Sequence, residues 1–256
     1  MTETMPRRGR LIAIASGKGG VGKTWLAITL AHALAGQGRR VLLFDGDLGL
    51  ANVDIQLGLT PAHDLAAVVA GRVPLAAAVL AHPPGGFSVL AGRSGSGSLA
   101  ALDPAALEAV LAALEAAARD YDVVLLDLGA GIDRAVRRMA AWADRLLVVA
   151  TEEPTSITDA YALLKLNAGD RRAAGPNAAV AVNQAGSEAS GRRTYETLAR
   201  ACRTFLGAAP PLAAIIRRDE RVRDAIRRQG LLLTRHPNTP AATDVGALAA
   251  TLLPAA

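Results

Sequence analysis

The sequence predicts a doubly wound α/β fold: a mainly parallel sheet with helices on both faces. Three observations point to it. Short apolar runs recur along the chain, at residues 11–15, 40–45, 87–90, 123–126, 146–150, 178–182 and 212–216. Helix-like stretches stand between most of them, at 25–35, 104–118, 133–143, 155–168, 190–205 and 219–228. Strands that are apolar without alternation are buried on both faces, as in a parallel sheet covered by helices. Finally, Gly17, Asp45 with Asp47, Asp127 and Asn183 each follow or end such a run. An open α/β sheet places its ligand at that edge.

The first strand, Leu-Ile-Ala-Ile-Ala over 11–15, runs directly into Gly17-Lys18-Gly19-Gly20-Val21-Gly22-Lys23-Thr24, and a helix follows. The loop fits Gly-x-x-x-x-Gly-Lys-Ser/Thr. Small residues there let backbone N–H groups turn inward around phosphate oxygens, and the helix N-terminus adds its positive end. Lys23 is then expected on the β- and γ-phosphates and Thr24 on Mg²⁺. At this chain's Gly and Lys frequencies, chance produces the pattern in roughly one chain in a few hundred. Lysine usage adds an independent sign. Of 28 basic residues only Lys18, Lys23 and Lys165 are lysine, leaving 28 − 3 = 25 arginines, and two of the three lysines sit in this loop. A compact, rotatable ammonium is not interchangeable with a planar guanidinium. Lys23 is the expected phosphate lysine; Lys18 is a surplus one.

The second run ends in Asp45, followed by Gly46 and Asp47. Residues 92–98, rich in Gly and Ser, read as a flexible surface loop. Asp-Val-Val-Leu-Leu-Asp over 122–127 has the form of a Walker B strand, so Asp127 is expected to act on Mg²⁺ through a water. The Leu-Gly-Ala-Gly after it, 128–131, reads as a hinge able to sense the γ-phosphate. A strand over 178–182 leads to Asn183, and 185–191 reads as a turn into a helix. Residues 217–228 carry arginine at 217, 218, 221, 223, 227 and 228 against Asp219, Glu220 and Asp224. This run reads as a solvated helix with internal ion pairs, or as a docking face for an acidic protein or DNA phosphates. With no internal repeat or linker, one domain is expected over 1–256, with 1–10 a flexible basic N-terminus.

Composition narrows the classes. Hydrophobic residues make up 51% but aromatics only 3%. That favours small side chains packing helices closely on a sheet over an aromatic platform for stacking bases. The net charge of +5 suits nucleic acid, an anionic membrane surface or a solvated exterior alike. A lone Cys202 excludes an internal disulfide and any paired-cysteine metal site. His32, His63, His82 and His236 are far apart and show no ligand spacing, so each is expected as a surface or packing residue. The opening apolar run is too short for a signal sequence, and no run approaches the length of a bilayer span. The expectation is a soluble cytoplasmic protein.

The stretch 16–24, with its extra Lys18, resembles the deviant phosphate loop of the MinD/ParA ATPases. The resemblance implies ATP and Mg²⁺ as ligands, slow hydrolysis, and an ATP-sandwiched homodimer in which Lys18 contacts the partner's nucleotide. It implies metal contacts from Thr24, Asp45 and Asp127, and Asp47 positioning the attacking water, with the roles of Asp45 and Asp47 exchangeable. It also implies Asn183 at the adenine. Residues 45–58 and 153–165, together with 127–132 and 237–241, are similar to the FlhG (FleN) branch, ATPases that regulate flagellar number and placement. That branch implies flagellar partners: an FlhF-like GTPase, C-ring proteins or a transcription activator, with recruitment to the cell pole or inner membrane face. There are departures. Residues 1–10 contain nothing like the Gln-containing motif that stimulates the GTPase, and after Arg235 no Lys or Arg remains for a basic amphipathic helix. Ile216-Arg217-Arg218-Asp219 replaces an Ile-Pro-x-Asp-like turn that contacts the base edge. Two other functions stay open: a ParA-like DNA-partitioning ATPase, and an ATP-dependent ligase for a small carboxylate.

Overall fold

The computed structural model describes residues 9–47, 51–63, 65–92, 103–170 and 177–252. In chain order the elements are β1 (Arg10–Ser16), α1 (Lys23–Gly36), β2 (Val41–Gly46), α2 (Val53–Leu57), α3 (Leu65–Val69), α4 (Leu75–Ala78), β3 (Val79–His82) and β4 (Phe87–Leu90). There follow α5 (Pro104–Ala117), β5 (Val123–Ala130), α6 (Arg134–Trp142), β6 (Arg145–Ala150), α7 (Pro154–Asp170) and β7 (Ala178–Ala185). The chain closes with α8 (Glu188–Leu206), β8 (Leu212–Arg217), α9 (Glu220–Arg227), α10 (Leu232–Arg235) and α11 (Pro240–Leu252).

Among the described residues the strands form one sheet in the order β3-β4-β2-β5-β1-β6-β7-β8. Every pairing is parallel except β3 with β4. Strand side chains alternate between two cores. Leu11, Ala13 and Ala15 join Leu42, Phe44, Val124 and Leu126 under α5 to α8. Ile12 and Ile14 join Leu43, Leu125 and Leu147 under α1 and α11. This double covering is the predicted doubly wound architecture. It aligns the carboxyl ends of β1, β2, β5, β7 and β8 along one edge, with Asp45 directly opposite Asp127 in the β2–β5 register.

The structure adds the short helices α2, α3, α4 and α10 to the sequence expectation and differs from it in three further stretches. β3 is an added antiparallel edge strand, returned onto β4 through Pro83–Gly85 and Gly86 at φ 68°. Its four residues are too few for periodicity to register. Helix α11 begins with Pro240 at its first position and buries Ala241, Val245, Leu248 and Leu252 against α1 and β8. That spacing was legible, but the segment's small side chains and lack of a charged face muted it. The turn expected over 185–191 is shorter: β7 runs to Ala185 and α8 starts at Glu188 behind a Ser187–Ser190 capping box. Residues 1–8 and 93–98 lie outside the described residues. No helix among the described residues is long and apolar enough to cross a membrane.

Candidate functional site

The Gly-rich loop joins β1 to α1 at the centre of the strand-end edge. Gly20 and Gly22 take φ of 78° and 89°, a left-handed backbone that a Cβ disfavours. Gly17 is needed for a different reason: a Cβ there would lie 2.5 Å from the Asp159 carbonyl oxygen of α7. The first turn of α1 holds no acidic residue and no side chain caps it. Its N–H groups and positive end are therefore left to the loop.

Lys23 is buried at the first position of α1, and its Nζ donates to Ser16 Oγ at 2.9 Å. Ser16 Oγ in turn donates to the Lys18 carbonyl at 2.6 Å. Burial lowers the Lys23 pKa, while Asp127 and then Asp47 oppose that shift. The ammonium is thus held between the Ser16 hydroxyl and the charges of Asp127 and Asp47. Lys18 behaves differently. Its ammonium is bonded to the Glu153 carboxylate and to Thr155 Oγ1, the latter at 3.0 Å, at the start of α7.

The three aspartates have three different environments. Asp127, on β5, is 1% exposed; Thr24 stands beside its carboxylate, and Oδ1 is buried without a partner. Burial first, and the Asp45 charge second, push it up to about 8. An orphaned carboxylate oxygen beside a hydroxyl, under a lysine, suits a hard divalent cation. Asp45 is also buried, and burial pushes it up to about 6. Its oxygens, however, are committed to backbone: Oδ1 accepts from Asp47 N at 3.2 Å, and Oδ2 from Asn52 N at 2.9 Å and Val53 N at 3.0 Å. It fixes the turn that carries Asp47 rather than offering an open oxygen. Asp47 lies over the end of β5, its Oδ1 3.2 Å from where a Cβ on Gly129 would sit. No group of three or more His, Cys, Asp or Glu among the described residues could hold a metal alone. Mg²⁺ needs none, since it usually takes one or two protein ligands with phosphates and waters.

Asn183 is 2% exposed at the end of β7, and its Nδ2 donates to the Val21 carbonyl at 2.8 Å. Gln184, at φ 56°, adds a bond from Nε2 to the Gly20 carbonyl at 3.3 Å. The β7 end therefore clamps the loop. Beyond it opens a cavity of ≈ 310 Å³, bounded by Gly20, Gly22, Trp25, Asn183, Gln184, the turn 217–219 and α9.

The structure thus brings together Gly17 to Thr24, Asp45, Asp47, Asp127 and Asn183. Sequence reading missed Ser16, Glu153, Thr155, Gln184 and Trp25. Glu153 and Thr155 belong to the stretch 153–165 that carries the family resemblance, but they meet Lys18 only through the β6–α7 turn, so nothing local pairs them with it. The histidines stay outside the site, but not as four separate residues. His32 and His82 are close enough that the charge of His82 adds to burial in lowering His32. The arginine run is less self-paired than expected: Arg228, just past the end of α9, bonds Asp224 on that helix, whereas Arg217 reaches Asp244 on α11.

Known proteins are similar to this chain in sequence and fold. The family profile described as the CobQ/CobB/MinD/ParA nucleotide binding domain matches residues 12–232. The antiactivator FleN of Pseudomonas aeruginosa is 40% identical over 240 residues, covering 94% of this chain and 85% of that protein. The flagellum site-determining protein YlxH of Helicobacter pylori is 32% identical over 189 residues, 74% of this chain and 63% of that one. Among solved structures, the septum site-determining protein MinD of Pyrococcus horikoshii, complexed with Mg-ADP, superimposes with a TM-score of 0.76 at 25% identity. The match covers 94% of both chains.

Proposed function

This chain belongs to the CobQ/CobB/MinD/ParA nucleotide-binding family, and we propose that it is an ATP-driven dimerising switch controlling flagellar number and placement. It is an ATPase related to the flagellar regulators, with Mg²⁺ as its cofactor. The observation that supports the site assignment best is the buried, orphaned Asp127 Oδ1 beside Thr24 and beneath Lys23.

Loop N–H groups of Gly19 to Thr24 hold the β- and γ-phosphates, and Lys23 leaves Ser16 to bind their oxygens. Thr24 and Asp127 are the residues that would hold Mg²⁺, which when bound neutralises phosphate charge. Asp45, one layer behind, keeps its turn in register, and Asp47 orients the attacking water. Asn183 carries the base side of the site. Lys18 crosses to a partner subunit's nucleotide, which requires its contacts with Glu153 and Thr155 to open. Flagellar proteins are the proposed partners: an FlhF-like GTPase, C-ring proteins or a transcription activator. A partner, not a membrane-spanning helix, would bring the chain to the pole or membrane.

The test is molecular mass in solution with ADP and with a non-hydrolysable ATP analogue, for the wild type and Lys18→Ala. The wild type should double in mass with the ATP analogue alone, and the variant should stay monomeric. A wild type that is monomeric throughout would refute the switch. A variant that still dimerises would remove Lys18 from the interface. A second reading, duplex DNA binding, draws on exposed Arg218, Arg221, Arg223 and Arg227. It predicts ATP-dependent binding that weakens steeply with salt, and no binding at low salt would dismiss it.

A further inference from the structure

We infer that Trp25 is a specificity-determining residue of the nucleotide site, its indole forming a wall against which a purine base lies. This rests on the reading of the loop as an ATP site, and it adds a residue that phosphate chemistry does not require. Trp25 directly follows Thr24, so it rides on the first turn of α1. Trp25 lines the ≈ 310 Å³ cavity beyond Asn183, and Val222 and Ile226 of α9 line the same cavity. The residue is only 6% exposed, yet its Nε1 is buried without a hydrogen-bond partner. Buried donors are nearly always paired, because the desolvation they suffer is otherwise uncompensated. An orphan N–H on a residue that lines a cavity fits a ligand with acceptors, and an indole supplies a broad apolar face beside that donor.

A purine nucleotide has both features, a flat ring and acceptors on its ring nitrogens and ribose. The cavity starts at the phosphate loop, where Gly20 and Gly22 form part of its lining, so a nucleotide anchored there by its phosphates would have its nucleoside directed toward the indole. Arg218 and Arg223 stand exposed at the same cavity, and their planar guanidiniums can stack on the base or meet its oxygens. Asp219, the acidic residue of that turn, is already engaged, with Oδ1 accepting from Arg221 N at 2.9 Å and Oδ2 from Ala241 N at 3.4 Å. The apolar wall and the arginines, rather than that carboxylate, are then left to recognise the base.

The chain has two tryptophans, and Trp142 sits at the end of α6 against the opposite core. Trp142→Phe therefore leaves an emitter at Trp25 alone. In that background ADP should change the emission with saturation, CTP should do so about tenfold less tightly, and tripolyphosphate should bind without changing it. Trp25→Phe should weaken ADP about tenfold while leaving tripolyphosphate affinity within about twofold, a ratio that a merely structural role would not move. Binding of ADP with silent emission, or an unchanged ratio in Trp25→Phe, would overturn the assignment of Trp25 alone. No binding of either ADP or tripolyphosphate by the wild type would overturn the nucleotide reading beneath it.

Discussion

A glycine-to-alanine series across the loop separates the physical causes that shape it. At Gly17 the backbone is ordinary, but a Cβ would stand 2.5 Å from the Asp159 carbonyl oxygen and 2.6 Å from the Asp159 Cβ. Neither is the end of a flexible side chain, so the loop must move away from α7. Overpacking of that kind costs about 1–3 kcal/mol, offset by about 0.4–1 kcal/mol from the stiffer unfolded chain. The net loss should be about 1–2 kcal/mol, or roughly 2–8 °C in Tm for a domain of this size. At Gly20 nothing lies within 4 Å, but φ is 78°. The left-handed conformation costs about 1–2 kcal/mol with a Cβ, so Gly20→Ala should lose about 0.5–1 kcal/mol after the same offset. At Gly19 the nearest atom is 3.9 Å away and φ is not positive, so Gly19→Ala should match the wild type or exceed it slightly. Urea unfolding of the apo proteins gives the three stabilities, and ADP titration shows whether the Gly17 variant also loses affinity. A Gly17→Ala protein as stable as Gly19→Ala would refute the close packing of loop on α7.

Two further predictions concern pH. Asp127 is pushed up to about 8 in the folded chain from an ordinary 3.8, so its contribution is favourable at low pH and is lost as pH rises toward 8. Asp127→Asn should therefore gain on the apo wild type by up to about 1.4 kcal/mol per pH unit between pH 5 and 7.5, while losing the stabilisation that Mg-ADP gives. Parallel stability–pH curves for the two proteins would contradict this. Burial holds His32 and His82 below their ordinary 6.5, the charge of His82 adding to the effect on His32. The depressed values make their contribution present above about pH 6.5 and lost as pH falls through the folded values. His32→Gln should flatten the acid limb of urea midpoints between pH 7 and 5, and an equally steep limb in the variant would count against it.

How much of this was legible beforehand depended on the range of the forces involved. The strands, the helix after the loop and the phosphate loop itself are local patterns. Unbroken apolar runs, Gly-Lys-Gly-Gly-Val-Gly-Lys-Thr and a strand ending in Asp127 dictate backbone and burial within a few residues, and the sheet edge follows from parallel winding. Similarly placed aspartates looked interchangeable, because spacing says nothing of which oxygens the backbone will occupy. Folding distinguished them: Asp45 accepts from three N–H groups, and Asp127 is left with a buried, unpartnered oxygen. The same holds for pairs distant along the chain. Lys18 with Glu153, Asn183 with Val21, His32 with His82 and Trp25 with α9 are set by which strands lie side by side. The sequence by itself determined the Gly-rich loop after β1, the helix behind it and the buried strands on either side, because these are local patterns. Only the tertiary structure decided which polar groups at that edge are paired and which residues line the cavity beyond it, because desolvation and hydrogen-bond satisfaction depend on neighbours that strand order alone brings together.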